Sequence, residues 1–312
     1  MGIFKEAHFR DDEAARVYLE NLLWPDGTVC PHCGTVDHAY KTKRPGVYRC
    51  ASKECRKDFS VTVGTVMERS KIALHKWLIA FHLMTASKKG ISAHQLHRML
   101  GIGYEAAWFM CHRIREAMRD GGLKTPMGGN GGIVEADETY HGKPETPHVS
   151  PQRKGRPYKY AAKGPRNSRP IVSLVERGGR VRTFHIAVAD KANVTEIVRS
   201  NVARESRLHT DESRLYHGSG EYFERHETVR HSAKEYARGD VHTNSVEGVF
   251  SIFKRGMRGV YQHCREKHLH RYLAEFDFRY NNRTALGVTD GERAALAVKG
   301  IVGKRLTYHH PY

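Results

Sequence analysis

The amino-acid sequence predicts a mixed α/β protein in which a small cysteine-bearing module and a helical region precede a larger α/β domain. Three observations predict this organisation. Two pairs of cysteines lie near the N-terminus, apolar residues recur at helical spacing between residues 74 and 119, and strand-like and helix-like patterns alternate beyond residue 132. The 312 residues correspond to about two domains. The hydrophobic fraction of 39% is enough to form a buried core.

The charge balance and the apolar runs narrow the class of protein. The chain has 52 lysines and arginines against 34 acidic residues, a net charge of +18, which indicates a polyanionic partner and first of all nucleic acid. The longest apolar run, 77–86, is shorter than the roughly 18–20 residues that cross a membrane, and residues 1–10 lack the apolar core of a secretory signal. We therefore expect a cytoplasmic protein, associated with the nucleoid when bound to DNA, with no membrane partner.

The first two predicted elements are a helix and the cysteine module. Apolar residues recur at helical spacing over 11–24 and stop at Trp24-Pro25, so residues 1–25 are assigned to an N-terminal helix. The cysteine module follows at 26–66.

A helical region is predicted next, at 67–120. Ser92 and Gln95 have the spacing of a capping box that opens a helix, and the turn 101–103 separates that helix from another at 104–119. Two helices joined by a short glycine-containing turn are typical of a helix-turn-helix. Sequence leaves two interpretations open: the second helix reads DNA, or the pair is a plain helical connector.

A glycine-rich segment, 121–132, is the best predicted domain boundary because it has six glycines and no periodic pattern. The domain beyond it is assigned to 133–290 and a C-terminal tail to 291–312. The predicted elements of the domain are strands at 133–140, 171–176, 181–188 and 207–210, a helix at 194–203 and mainly helix over 244–281.

A strongly basic insertion, 142–169, lies between the first two of these strands. It has eight lysines and arginines against the single acidic residue Glu145. Tyrosines are interleaved with the cations, which favours a DNA-clamping arm over a solvated loop. The DNA-binding residues predicted here are Arg153, Lys154, Arg156 and Lys159.

Four cysteines predict a structural zinc site. Cys30 and Cys33 are separated by two residues, Cys50 and Cys55 by four, and sixteen residues lie between the pairs, which is the pattern of a zinc ribbon. Four thiolates close the coordination shell, and a module of this size has little core without the ion. Unrelated buried thiols are the alternative, and His32 is a possible substitute ligand. The remaining cysteines, Cys111 and Cys264, are predicted to be core thiols rather than disulfide partners.

Three carboxylates in unlike settings give the sharpest signal of chemistry. Asp137 lies within a predicted strand, Asp211 at the end of another, and Glu247 on a helix, with 35 residues between Asp211 and Glu247. Carboxylates that hold two divalent cations activate a hydroxyl nucleophile and stabilise the leaving oxygen of a phosphodiester, and magnesium prefers such oxygen ligands. Lys254 lies two helical turns after Glu247, on the same polar face, where it can hold a phosphate.

Other interpretations of these carboxylates remain open. Asn244 and Glu247 also have the spacing of a capping box, in which Glu247 only satisfies the helix N-terminus. Glu138 and Glu212 are adjacent alternatives to the two aspartates. Strand alternation puts Asp137 and Glu138 on opposite faces, and the sequence permits either face to be the active one.

The chain resembles the DDE transposases of bacterial and archaeal insertion sequences, and more narrowly the fifteen-ninety-five family. The residues that carry the resemblance are the carboxylate spacing with its basic residue, the cysteine module, and the segments 136–140, 242–248, 254–259 and 271–281. The resemblance implies an RNase H-like catalytic domain of the retroviral-integrase superfamily, with Asp137, Asp211 and Glu247 as ligands of two Mg²⁺ (or Mn²⁺) ions. In some relatives an asparagine takes the third position, which makes Asn244 the alternative to Glu247.

The function implied is binding of terminal inverted repeats, metal-dependent strand cleavage, and strand transfer into target DNA. Lys254, Arg255 and Arg258 are the expected DNA contacts on the glutamate helix, and Lys254 is also placed at the reacting strand. Because two ends are cut together, a homodimer or larger synaptic complex is expected. The sequence has no phosphate-binding G-x-x-x-x-G-K motif, so no nucleotide cofactor is expected.

Two functions from other classes remain as alternatives. One is a non-catalytic regulator that binds DNA through the zinc ribbon and helix-turn-helix, and the other is a structure-selective nuclease of the same fold. A metalloprotease is excluded, because His226 and His231 are five residues apart and diverge around a helix.

Overall fold

Residues 3–120, 125–145 and 168–307 are described by a computed structural model of the chain. The chain divides into two compact units. The first comprises residues 1–119 together with 282–312, and the second comprises residues 120–281. None of the helices in the described parts of the chain combines the length and apolar composition that crossing a membrane requires.

The first unit begins with a capped helix and a small sheet. Helix α1, Asp12–Leu23, starts where the Asp11 side chain accepts a hydrogen bond from the Ala14 amide. Strands β1 (Ala39–Lys41), β2 (Tyr48–Cys50) and β3 (Asp58–Phe59) form an antiparallel sheet in that order. Tyr48 and Phe59 lie with Trp24 in an aromatic cluster behind the cysteines. This cluster is the module's own small core.

Three helices follow the small sheet: α2 (Leu74–Ala86), α3 (Ala93–Leu100) and α4 (Tyr104–Met118). The Ser92 hydroxyl accepts the Gln95 amide at 3.1 Å, which makes Ser92 the N-cap of α3. Gly101 ends α3 in the left-handed conformation, with φ of +59°, which glycine adopts at no steric cost.

The exposed surface of this helix pair lies mainly on α3. Helix α4 is buried from Met110 to Arg115, and only its first turn is exposed. Four side chains of α3 face solvent: His94, Gln95, Arg98 and Met99.

The C-terminal segment differs from the predicted tail. Helix α8, Asp290–Lys299, begins at a capping box formed by Thr289 and Glu292 and belongs to the first unit. Ala297, Val298 and Ile301 are buried. The second unit accordingly ends at residue 281 and not at 290. The amphipathic pattern of this segment indicates a helix but carries no information about which core it packs on.

The second unit is a five-stranded mixed sheet covered by helices. Its elements are β4 (Ile133–His141), β5 (Arg169–Glu176), β6 (Val181–His185), α5 (Lys191–Asn201), β7 (Arg207–Thr210), β8 (Arg225–Thr228), α6 (Asn244–Gly256) and α7 (Leu269–Asn281). The sheet order is β6-β5-β4-β7-β8. Strand β5 is antiparallel to β4 and β6, whereas β4, β7 and β8 are parallel. Strand β8 was not predicted; it includes His226 of the rejected metalloprotease pattern.

Two cores cover the two faces of this sheet. Val134, Ala136 and Leu174 pack with α5 on one face. Ile171, Val175 and Val181 pack with α6 and α7 on the other. The predicted apolar face of α6 is confirmed, since Val246, Val249, Phe250, Phe253 and Met257 are all buried.

The glycine-rich segment is more ordered than its sequence indicates over its described part, 125–132. Met127 is fully buried, its amide donates to the Asn201 carbonyl at 2.7 Å, and its carbonyl accepts from the Ala203 amide. Gly128 has φ of +76°, and a Cβ there would overlap the Ser206 side chain. One apolar residue among the glycines therefore fixes the segment to the second unit.

Candidate active site and zinc site

The four predicted zinc ligands converge. The sulfur atoms of Cys30, Cys33, Cys50 and Cys55 lie within 4.8 Å of one another. Two of the Sγ–Sγ distances are 3.8 Å, between Cys30 and Cys55, and 3.6 Å, between Cys33 and Cys50. A tetrahedral ion with Zn–S bonds of about 2.3 Å requires sulfur separations of about 3.8 Å. The cluster therefore fits a closed, structural zinc site.

Local structure explains this convergence. The Gly34 amide donates to the Cys30 carbonyl at 2.9 Å, and Gly34 has φ of +77°, so the chain reverses tightly between the first two cysteines and the rest of the module. Cys50 ends β2, and Cys55 lies in the turn that follows. The exposed His32 ring lies 3.4 Å from the Asp58 carbonyl and is outside the cluster.

The pKa values of the cysteine thiols are shifted in opposite directions by their surroundings. Burial raises the pKa of Cys50 to about 12, whereas hydrogen bonds with Thr35 lower the pKa of Cys33 to about 6. A zinc ion would hold all four as thiolates. Cys111 is fully buried and Cys264 half-buried, and neither belongs to the cluster.

A second ligand cluster lies in the five-stranded sheet. Carboxylate oxygens of Asp137, Glu138 and Asp211 lie within 4.8 Å of one another. Asp137 lies on β4, and Asp211 directly follows the parallel strand β7. Sequence reasoning placed Asp137 and Asp211 at the site and Glu138 only as an alternative to Asp137. The structure instead brings all three together.

Sheet register explains why Glu138 joins the cluster. The pairing of β4 with β7 ends at Glu135 and His209, so β4 continues past the end of β7. Beyond Glu135, side chains from both faces of β4 can therefore approach the Asp211 carboxylate, which follows the end of β7. The Ser213 hydroxyl donates to Glu138 at 3.2 Å, and the Ser213 amide donates to Asp211 at 3.0 Å.

The electrostatics of this carboxylate cluster favour the binding of a cation. Burial, followed by the charges of Asp211 and Glu138, raises the pKa of Asp137 to about 8. Burial is also the largest cause of the raised pKa values of Glu138 and Asp211. No described lysine or arginine forms an ion pair with any of the three. Divalent cations would relieve the repulsion, and their preferred ligands are carboxylate oxygens.

Glu247 lies near this cluster but outside it. Its side chain is 46% exposed, with the Thr243 hydroxyl at 3.3 Å and the His231 Nε2 atom at 3.6 Å. Its charge is among the smaller causes of the raised pKa values of Asp137 and Asp211. Asn244, the alternative third residue, is exposed at the first position of α6.

Asn244 and Glu247 do not form a capping box. The N-cap of α6 is Thr243 and not Asn244, so Glu247 is the fourth helical residue and lies outside the capping-box position. The first free amides of α6 are bound instead by Glu135. Glu212 is likewise occupied elsewhere, because its carboxylate accepts the amide and hydroxyl of Ser232.

Basic side chains surround the far end of β4. Burial, then the charges of Arg169, Arg258 and Lys254, lower the pKa of His141 to about 4. Lys254 is half-buried, and Arg255 and Arg258 are exposed. Arg169, counted in the basic insertion, is buried and donates to the Cys264 carbonyl at 2.7 Å, so it serves the fold. Arg153, Lys154, Arg156 and Lys159 lie outside the described residues.

Zinc ribbon, mixed sheet and acidic cluster together define the class: a DDE transposase with an N-terminal zinc ribbon. Comparison with known families agrees, because residues 130–281 match the ISXO2-like transposase domain and residues 10–58 match the transposase zinc-ribbon domain. The chain belongs to the IS1595 family, the fifteen-ninety-five family of insertion sequences. It is also 28% identical over 284 residues to an uncharacterized protein in transposable element ISH50 of Halobacterium salinarum, covering 87% of this chain and 91% of the relative.

Proposed function

We propose that this protein binds the terminal inverted repeats of its insertion sequence, hydrolyses one strand at each end, and joins the freed 3′-hydroxyls to target DNA. The observation that carries the proposal is the convergence of the carboxylate oxygens of Asp137, Glu138 and Asp211. The charge of Glu247 adds to the repulsion at Asp137 and Asp211. Repelling carboxylates without a basic counterion are costly for a fold, and they are useful where divalent cations bind.

Asp137, Asp211 and Glu247 are the proposed ligands of a pair of Mg²⁺ or Mn²⁺ ions. Such ions activate the attacking hydroxyl and stabilise the leaving oxygen of a phosphodiester. Ser213 and the β4 backbone orient the two aspartates through the hydrogen bonds that these accept. Glu138 is close enough to supply a further oxygen ligand.

The sheet supports an RNase H-like catalytic domain. Its second strand is antiparallel to its first, its first strand is central, and the remaining two strands extend the sheet in parallel. The first acidic residue lies on the central strand and the second at the end of its parallel neighbour. Ends of parallel strands are common places for reacting groups in α/β proteins.

DNA contacts are proposed along the polar face of α6 and on the basic insertion. Lys254 and Arg255 follow Glu247 on α6, and Arg258 lies in the π-helical turn Met257–Tyr261 that continues it, so we propose that a strand held by these cations passes the carboxylates. The zinc ribbon and the α3–α4 pair are the proposed parts that recognise the inverted repeats. A homodimer or larger synaptic complex is the proposed working form, because two ends are processed together.

The two rival functions make different predictions for one experiment. The purified zinc-loaded protein is incubated with Mg²⁺, a duplex carrying the inverted repeats that flank its reading frame, and a supercoiled target plasmid. We expect nicking at the repeat ends and joined products. Binding without nicking would support the non-catalytic regulator, and nicking that ignores the repeats and gives no joined product would support the structure-selective nuclease. Either outcome overturns the proposal.

A further inference from the structure

A fully buried carboxylate lies on the catalytic strand outside the acidic cluster. Glu135 is two residues before Asp137 on β4 and therefore on the same face of the sheet. Its Oε2 atom accepts the amides of Ser245 at 2.7 Å and Val246 at 3.2 Å. Its Oε1 atom accepts the Ser245 hydroxyl at 2.9 Å. Glu135 thus joins β4 to the first turn of α6.

An arginine completes this junction. Arg177, just after β5, donates to Glu135 Oε1 from Nε at 3.1 Å and from a terminal nitrogen at 2.8 Å. It also donates to the carbonyls of Asp240 and His242, in the segment that leads into α6. One ion pair, in which Glu135 is fully buried and the Arg177 side chain is 25% exposed, therefore holds both the helix start and its approach segment.

The junction supplies the cap of α6 from a neighbouring strand. The first turn of a helix has unpaired amides and a partial positive charge, and both favour a carboxylate. Thr243, the N-cap, makes no side-chain bond to these amides, so the cap comes from another element. Fixing residues 245 and 246 against β4 fixes the position of Glu247 in the same helix, since each residue adds only about 1.5 Å along the axis.

We propose that Glu135 is a positioning residue, which sets the separation of Glu247 from Asp137 and Asp211 by capping α6 from β4. The proposal rests on the proposed function, in which these three residues bind the metal ions. It assigns a role in metal binding to a side chain that is too buried to contact DNA. Partners that orient metal ligands typically change affinity by about 10- to 100-fold when they are replaced.

The test uses Mn²⁺ as the probe and the full-length, zinc-loaded protein. Free Mn²⁺ is measured by electron paramagnetic resonance during titration, and hydrogen exchange is measured at residues 245 and 246. We expect Glu135→Gln to weaken Mn²⁺ binding about tenfold or more and to speed exchange at these two amides. The matched control is Glu275→Gln, which changes another fully buried glutamate, one on α7 that pairs with Arg279 and accepts the Tyr261 hydroxyl beyond the C-terminal end of α6.

Failure of this proposal is distinguishable from failure of the proposed function. If Glu247→Gln binds Mn²⁺ like the parent, the metal assignment itself is wrong. If Glu247→Gln weakens binding while Glu135→Gln leaves binding and amide exchange unchanged, only the positioning role is wrong. A loss of the same size in Glu275→Gln would show a general effect of destabilisation and would also overturn the proposal.

A milder variant covers the case in which Glu135→Gln does not fold. Ser245→Ala removes only the hydroxyl that donates to Glu135, and Ser251→Ala changes an exposed serine further along α6. We expect about threefold weaker Mn²⁺ binding in the first variant and parental binding in the second, because only the first loses a hydrogen bond to a buried charge. Equal affinities in the two variants would contradict the positioning role.

Discussion

At the scale of single residues, the site is defined by carboxylates whose surroundings disfavour their charge. Asp137 is the extreme case, with its pKa raised to about 8 by burial and by Asp211 and Glu138. Their mutual repulsion costs stability in the protein without a divalent cation and becomes useful only when one binds. Replacement of one of these residues by its amide should therefore affect stability and chemistry in opposite directions.

The first prediction concerns Asp137→Asn and Asp211→Asn. We expect strand cleavage to fall by about 10³-fold or more, with binding of the repeats retained, and the pair to be non-additive because the carboxylates act as a unit. In buffer with a magnesium chelator, the midpoint of thermal unfolding of the second unit should rise, since a buried like-charge repulsion is lost. Cleavage at the parental rate, with no change in the unfolding midpoint, would contradict the role assigned to these aspartates.

Cleavage is predicted to depend on the charge of Glu247 and not on that of Glu212. Glu247→Gln keeps the size of the side chain and its contact with Thr243, so we expect end binding and folding to persist while cleavage is nearly lost. Glu212→Gln is the control, because Glu212 is held by Ser232 and lies outside the cluster. Cleavage assays on both proteins decide the assignment, which a fully active Glu247→Gln protein would reject.

At the scale of elements, the zinc ribbon has a small apolar core, and the basic insertion has few apolar residues in its sequence. The apolar cluster around the zinc ligands has four buried members, which are Cys30, Cys50, Tyr48 and Phe59. A cluster of this size needs the ion to fold. The insertion is dominated by cations, whose contribution to binding is electrostatic and independent of base sequence.

For the ribbon, we expect Cys30→Ser combined with Cys33→Ser to release one equivalent of zinc and to unfold residues 26–66, while the second unit keeps its structure. Metal analysis and near-ultraviolet circular dichroism follow the two effects. The same analysis on the parent protein is the control, and a parent that carries no zinc would remove the basis for a ribbon.

For the insertion, we expect neutralisation of Arg153, Lys154, Arg156 and Lys159 to reduce the slope of log K against log salt by up to about 3.6, at about 0.9 per phosphate contact. Preference for the repeats over random DNA should barely change, because phosphate contacts do not read bases. Fluorescence anisotropy over a salt series measures both quantities. An unchanged slope would place the DNA path elsewhere, over Lys254, Arg255 and Arg258.

At the scale of the whole molecule, the two units do not follow the order of the chain. The segment after residue 281 returns to the first unit, where α8 and Ile301 are part of the core. The C-terminus therefore supports the fold of the unit that carries the zinc ribbon. Trimming it would damage that unit rather than remove a dispensable tail.

This arrangement gives the last prediction. Ile301→Ala should lower the free energy of unfolding of the first unit by about 2–5 kcal/mol, the usual range for a fully buried isoleucine. Its neighbour Val302 is 61% exposed, and Val302→Ala should change stability by no more than about 0.5 kcal/mol. Urea unfolding measures both, and equal effects would mean that the segment does not pack as described.

Much of the fold and two of the site's aspartates were predictable from local pattern. Four thiols at ribbon spacing, the alternation of β4 and the periodicity of α6 each depend on residues close in sequence. Sequence alone therefore determined the cysteine site, most of the element types, and the strand settings of Asp137 and Asp211, but not strand β8 or helix α8.

Tertiary structure decided what depends on distant segments meeting. The separation of Glu247 from the cluster, the entry of Glu138 into it, the cap that Glu135 supplies to a helix 110 residues away, and the return of α8 to the first unit all depend on register and packing. The spacing of Asn244 and Glu247 left a local capping box open as an alternative, but a buried carboxylate on a neighbouring strand binds the amides of Ser245 and Val246. Local sequence does not determine which side chain binds the first amides of α6, because that depends on which groups the fold buries together.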